Sequence, residues 1–132
     1  MTSPVNKNQT EKEKVEVKNY FNGMGFDRWN RIYSDSESVN NVQRNIRIGH
    51  QKTVDQVLSW LSESRSLNET TFCDAGCGVG SLSIPLAAMG ARSIAASDIS
   101  QAMIDETYKR AKESKLDLKK FEFLVSDLEN LK

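Results

Sequence analysis

The spacing of apolar residues changes near position 70 and divides the chain into a helical first half and an alternating second half. Between Val39 and Leu61, the residues Val39, Val42, Ile46, Thr53, Val54, Val57, Leu58 and Leu61 fall near helical spacing and leave one face apolar. Gly49 weakens this pattern midway and marks a potential break. Upstream, Val15, Val17, Tyr20 and Phe21 stand among charges and predict a short helix. Asn22-Gly23-Met24-Gly25 reads as a break, and Phe26 to Tyr33 as a second short, aromatic-rich helix. Ser34-Asp35-Ser36-Glu37-Ser38 offers several N-caps, and Ser62 to Thr70 reads as a loop.

Beyond Thr70 the pattern shortens. Thr71 to Asp74 predicts a short buried strand, and Gly76, Gly78 and Gly80 a turn. Ser81 to Met89 predicts an apolar helix bent at Pro85 and ended by Gly90. Ser93 to Ser97 is a second strand, and Ser100 caps a helix running to about Ser114. Phe121 to Val125 is a third strand, ending at Ser126-Asp127. Strands alternating with helices predict an α/β fold with a parallel sheet. The sequence contains no internal repeat and no low-complexity segment.

Composition adds mainly exclusions. The chain has 132 residues, a single-domain length, and 38% hydrophobic residues, enough for a lean core. Its 18 basic and 18 acidic side chains cancel, and nucleic acid is not expected as the main partner. No apolar run is long enough for a transmembrane helix. Met1 to Lys14 has no apolar core of a signal peptide and no arginine, and it predicts a disordered, solvated tail. Two cysteines without an export signal suggest a reducing, cytoplasmic setting, and both are expected to pack as small side chains around a tight turn. With a single histidine, His50, no metal site is expected.

The candidate chemistry lies in Asp74-Ala75-Gly76-Cys77-Gly78-Val79-Gly80, placed between a strand and a helix. A turn without side chains lets a ligand approach the backbone, and the helix start offers free N–H groups. The spacing does not complete the dinucleotide pattern G-x-G-x-x-G/A: the sixth position is Ser81 counted from Gly76 and Ser83 counted from Gly78. Asp74 would repel a phosphate but suits a cationic amine and sulfonium. Asp98, ending the second strand, can accept from a ribose diol, which indicates a nucleoside without naming it. Asp127, ending the third strand, can accept from an adenine amine, with Leu128 beside the ring. Three acids at successive strand ends line the edge where open α/β sheets bind ligands.

These residues resemble the class I S-adenosylmethionine-dependent methyltransferases. The resemblance implies a Rossmann-like sheet whose first three parallel strands, in the order 3-2-1, fit this chain, with a helical N-terminal arm. It implies S-adenosylmethionine as cofactor and S-adenosylhomocysteine as product. The cofactor-binding set implied is Asp74, Ala75, Gly76, Cys77, Gly78, Gly80, Asp98, Ile99, Met103, Asp127 and Leu128. Residues 1–14 are then a tail, 15–66 an arm or lid, and 67–132 a partial cofactor domain.

A narrower resemblance rests on Tyr20-Phe21-Asn22, Gly25 to Trp29, Arg31-Ile32-Tyr33, Asn45-Ile46-Arg47, Gly49-His50-Gln51 and Cys73 to Leu82. These are similar to the magnesium protoporphyrin IX methyltransferases of chlorophyll biosynthesis. That family methylates a propionate carboxylate of the porphyrin. On this basis Tyr33 is the candidate catalytic residue, orienting the carboxylate, and Trp29, Arg47 and His50 are candidate substrate contacts. Phe21, Phe26, Arg28 and Arg31 offer further aromatic and cationic surface. From periodicity alone, the same aromatics simply pack the arm onto the sheet. An apolar substrate implies peripheral contact with photosynthetic membranes. The family sheet has seven strands and only three fit here, so the chain reads as truncated, with an exposed first strand through which it self-associates. Methylation of another small molecule such as a quinone, an inactive cofactor-binding module, and a dinucleotide oxidoreductase are the competing readings.

Overall fold

The computed structural model describes residues 7–34, 37 and 39–130. The first helix, α1, spans Lys7–Asn22, so Lys7 to Lys14 are helical where a solvated tail was expected. Residues 1–6 lie outside the described residues. The Lys-, Glu- and Gln-rich start favours a helix in itself. Helix α2 spans Met24–Ile32, leaving Gly23 as the whole break. Gly25 sits inside α2 because a Cβ there would lie 2.4 Å from the Tyr20 ring.

Helix α3 runs unbroken over Asn41–Ser64, through Gly49 and past the expected end at Leu61. Its N-cap is Asn40, in a reciprocal capping box with Gln43, and not a residue of the Ser34–Ser38 cluster. Asp35, Ser36 and Ser38 of that cluster lie outside the described residues. A 3-10 turn at Leu67–Glu69 leads into strand β1, Thr71–Ala75. Helix α4 is short, Ser83–Ala88, and Pro85 is its third residue. In that first turn the missing N–H of proline has no intrahelical partner to lose, so the helix accommodates it. Gly90 ends the helix at φ 99°.

Strand β2 is Ser93–Asp98, helix α5 is Gln101–Glu113 with Ser100 as N-cap, and strand β3 is Phe121–Val125. The strands pair in parallel in the order β1-β2-β3, with Asp74 opposite Ala96 and Asp98 opposite Val125. One sheet face carries the core. Val54 and Leu58 of α3, Leu86 and Ala87 of α4, and Ile94 of β2 bury one cluster, with Phe72 and Phe121 against it. Ile104 of α5, Ala96 and Cys77 bury another, with Phe123 against it. The opposite face leaves Thr71, Cys73, Ala75 and Glu122 exposed. Strand β1 is thus a half-exposed edge strand and not the buried strand expected, and Cys73 projects outward where a packed side chain was expected.

Candidate functional site

Backbone hydrogen bonding brings the glycine loop across the end of β2. The N–H groups of Gly76 and Cys77 both donate to Ser97 O, each at 2.8 Å. Gly78 N donates to Asp98 Oδ2 at 2.9 Å, and Ser100 N donates to Asp98 Oδ1 at 3.0 Å. Asp98 therefore fastens the loop to the start of α5 and keeps a second lone pair on each oxygen for a ligand.

The glycines divide by what surrounds them. Gly76 and Gly78, at φ 75° and 57°, have open space where a Cβ would stand. Gly80, at φ 83°, has none: a Cβ there would lie 2.9 Å from Thr107 Cγ2. Gly80 serves close packing between loop and α5, and the first two glycines face the ligand space.

That space is a cavity of about 540 Å³. Gly76, Gly78 and Val79 form one wall, and Asp98, Ile99 and Met103 another. Ser126, Asp127, Leu128 and Glu129 line it after β3, and Lys14 and Phe21 of α1, Trp29 of α2 and Tyr33 complete the lining. Lys14 bridges to Asp127 and Glu129, which fastens α1 across the mouth. Asn130 Nδ2 donates to both Asp127 oxygens, and with Lys14 it holds that carboxyl below the ordinary range.

A second cavity, of about 340 Å³, lies on the other side of the loop and shares Tyr33, Gly76, Gly78 and Val79 with the first. It adds Asp74, Cys77 and His50. Burial raises the Asp74 pKa, and the Ser83 hydroxyl, donating to Oδ2 at 2.6 Å, offsets this in part. Burial pushes the Cys77 thiol up to about 12, so it stays protonated and inert. Tyr33 is stacked between Trp29, with centroids 5.6 Å apart, and His50, at 4.2 Å. Burial raises the Tyr33 phenol and lowers His50, so both rings are neutral at pH 7. His50 Nε2 is buried without a hydrogen-bond partner.

Most of the residues predicted as the cofactor-binding set, the catalytic residue or substrate contacts line these two cavities. Three of that set do not. Ala75 is an exposed strand residue, Gly80 packs against Thr107, and Arg47 donates to the carbonyls of Arg31 and Ile32. Arg28 lies over the Trp29 ring at 5.8 Å. Sequence reasoning missed Lys14, because its helix is polar, and Ser83, whose only signal was a hydroxyl at a helix start.

A parallel sheet, a glycine loop turned by Ser97 and Asp98, and a cavity ending at Asp127 match the fold of the class I S-adenosylmethionine-dependent methyltransferases. Residues 72–132 match the methyltransferase domain family model. Within the class, the chain is similar to magnesium protoporphyrin IX methyltransferases. It is 51% identical over 121 residues to the chloroplastic enzyme of that name from Arabidopsis thaliana, covering 90% of this chain and 38% of the relative. It is 54% identical over 101 residues to the magnesium-protoporphyrin O-methyltransferase of Synechocystis sp., covering 76% of this chain and 43% of the relative. The chain thus spans less than half the length of these relatives. The crystal structure of the Synechocystis PCC 6803 enzyme with bound SAM superimposes with a TM-score of 0.85 at 46% identity, covering 99% of this chain and 60% of that one.

Proposed function

We propose that the protein containing this chain methylates a propionate carboxylate of magnesium protoporphyrin IX with S-adenosylmethionine, a step of chlorophyll biosynthesis. The observation that carries this reading is the cavity in which the glycine loop and the two strand-end acids Asp98 and Asp127 meet the arm aromatics Trp29 and Tyr33. The open space over Gly76 and Gly78 fits a cofactor lying against backbone.

Bound S-adenosylmethionine supplies a methyl group on a sulfonium; transfer breaks the carbon–sulfur bond and forms the ester, leaving a neutral thioether. Asp98 accepts from the ribose hydroxyls, Asp127 faces the adenine end with Leu128, and Ile99 and Met103 give the nucleoside an apolar wall. Asp74, with Cys77 beside it, holds the cationic methionine end in the second cavity. A carboxylate acceptor is already ionised at neutral pH, with a pKa of about 4, so no general base is needed. Tyr33, protonated and wedged between Trp29 and His50, can donate to that carboxylate and orient it. His50, neutral and with an unpartnered Nε2, offers a second polar contact. Orientation of this kind supplies up to about 7–11 kcal/mol.

Among the described residues, no helix is long and apolar enough to cross a membrane. Peripheral contact with a photosynthetic membrane fits an apolar substrate. The test is calorimetric titration of the full-length protein with S-adenosylmethionine. Asp98→Ala is expected to weaken binding roughly 10–100-fold, through loss of charge-assisted hydrogen bonds to the ribose and of the loop anchor. Equal binding by the variant sinks the assignment.

A further inference from the structure

Helix α5 has two caps, and one comes from the arm. Its own N-cap, Ser100, accepts from Met103 N through Oγ at 3.2 Å. The neighbouring open donor, Ala102 N, is met by Asn22 Oδ1 of α1 at 3.0 Å, across 80 residues of sequence. Ser100 Oγ also lies 2.7 Å from Asn22 Oδ1 and 3.0 Å from Phe21 O, so its one proton goes to the last turn of α1. Ser100 is completely buried, and its N–H holds Asp98 Oδ1. The end of the arm, the strand-end acid and Gly78 are therefore joined in one run of hydrogen bonds through a single buried serine. Phe21 on one side of that run and Met103 on the other both line the first cavity.

We propose that Asn22 is a positioning residue for the cofactor. It seats α1 on the start of α5, which places Phe21 over the nucleoside end and steadies Ser100 and Asp98 beneath it. This rests on reading the first cavity as the nucleoside site. Arm seating and cofactor binding then stabilise each other, because coupling between two binding events is reciprocal. The chemistry required at position 22 is an acceptor: among the described residues, Ser100 Oγ and Ala102 N both donate to Asn22 Oδ1. Aspartate keeps that acceptor, and its added charge is favoured by the N-terminus of α5 and opposed by the C-terminus of α1 and by Asp98 beyond Ser100. Alanine removes the acceptor from an exposed residue, which leaves the core untouched.

The experiment is calorimetry with S-adenosylhomocysteine on the full-length protein, Asn22→Ala and Asn22→Asp, with deuterium exchange of α1 followed with and without ligand. The unaltered protein is expected to bind and to show slower exchange in α1 when bound. Asn22→Ala is expected to bind roughly fivefold more weakly, the weight of one lost helix cap, and to lose the ligand-dependent protection. Asn22→Asp is expected to stay within about twofold of the unaltered protein and to keep the protection. An alanine variant with unchanged affinity and protection overturns the inference, as does an aspartate variant as weak as alanine. Both outcomes leave the cofactor reading standing, whereas failure of the unaltered protein to bind removes that reading and the inference with it.

Discussion

Asp74 binds its proton more tightly than an ordinary aspartate, because burial outweighs the Ser83 hydrogen bond. Its folded value therefore lies above its unfolded one. The ligand-free fold loses stability as pH rises from the unfolded value through the folded one, since ionisation then opposes burial. A cationic ligand reverses the preference and favours the carboxylate. Affinity for S-adenosylmethionine is thus expected to be full above the raised pKa and to fall about tenfold per pH unit below it. Calorimetric titrations of the full-length protein across the acid range check this, and Asp74→Asn is expected to give weak binding that lacks the fall through the raised Asp74 range. A pH-independent affinity in the unaltered protein contradicts the role. At this scale the sequence was readable where chemistry and position coincide: an acid at a strand end is recognisable without coordinates. It was not readable at Gly80, because only the fold brings Thr107 within 2.9 Å of its absent Cβ.

The end of α2 shows how elements set the site. Three consecutive carbonyls there, of Arg31, Ile32 and Tyr33, are met by guanidinium groups from two other helices. Arg47 of α3 donates to the first two, and Arg110 of α5 donates to Tyr33 O at 3.3 Å and to Asn30 Oδ1 at 2.6 Å. Glu106 holds Arg110 by its Nε at 3.1 Å. Cations at a helix C-terminus satisfy its open carbonyls and its dipole, and here they also fix the backbone of Tyr33. Arg110→Met is expected to destabilise the protein by about 1–3 kcal/mol, read as a shift in denaturant midpoint, because it leaves part-buried acceptors unmet. Arg110→Lys restores only part of the loss, since an ammonium cannot reproduce the fork. A methionine variant as stable as the parent contradicts the clamp. Helix and strand positions were largely legible: β3 and the Ser100 cap lie where periodicity and capping chemistry put them. The start of α1 was not, because its polar residues carry no apolar stripe and the Lys14 partners Asp127 and Glu129 lie more than a hundred residues away. Gly49 did not break α3, since a glycine costs about 1 kcal/mol in a helix and the flanking turns supply more.

For the whole molecule, the organisation of the sheet matters more than any one contact. Helices α3, α4 and α5 cover one face, and the other leaves Cys73 exposed at the middle of β1. Among the described residues β1 pairs with β2 alone, so one side of it presents unpaired backbone groups. That the sheet is parallel was legible from the alternation of strands with helices, whereas the order of its strands came only from the family resemblance. The docking of the arm was not legible, because periodicity reveals an apolar face but not what it meets. We expect a polypeptide of these 132 residues to self-associate through β1. Two antiparallel copies of Thr71–Ala75 paired about their centre place Cys73 opposite Cys73. Directly opposed residues in an antiparallel pair have Cα atoms about 4.5–5.5 Å apart, within the span a disulfide bridges. Mild oxidation is therefore expected to trap a covalent dimer on a non-reducing gel, and Cys73→Ser to abolish it, while buried Cys77 takes no part. Sedimentation of the reduced polypeptide is expected to show a reversible dimer or larger species. A monodisperse monomer that resists cross-linking at high concentration contradicts pairing through this edge.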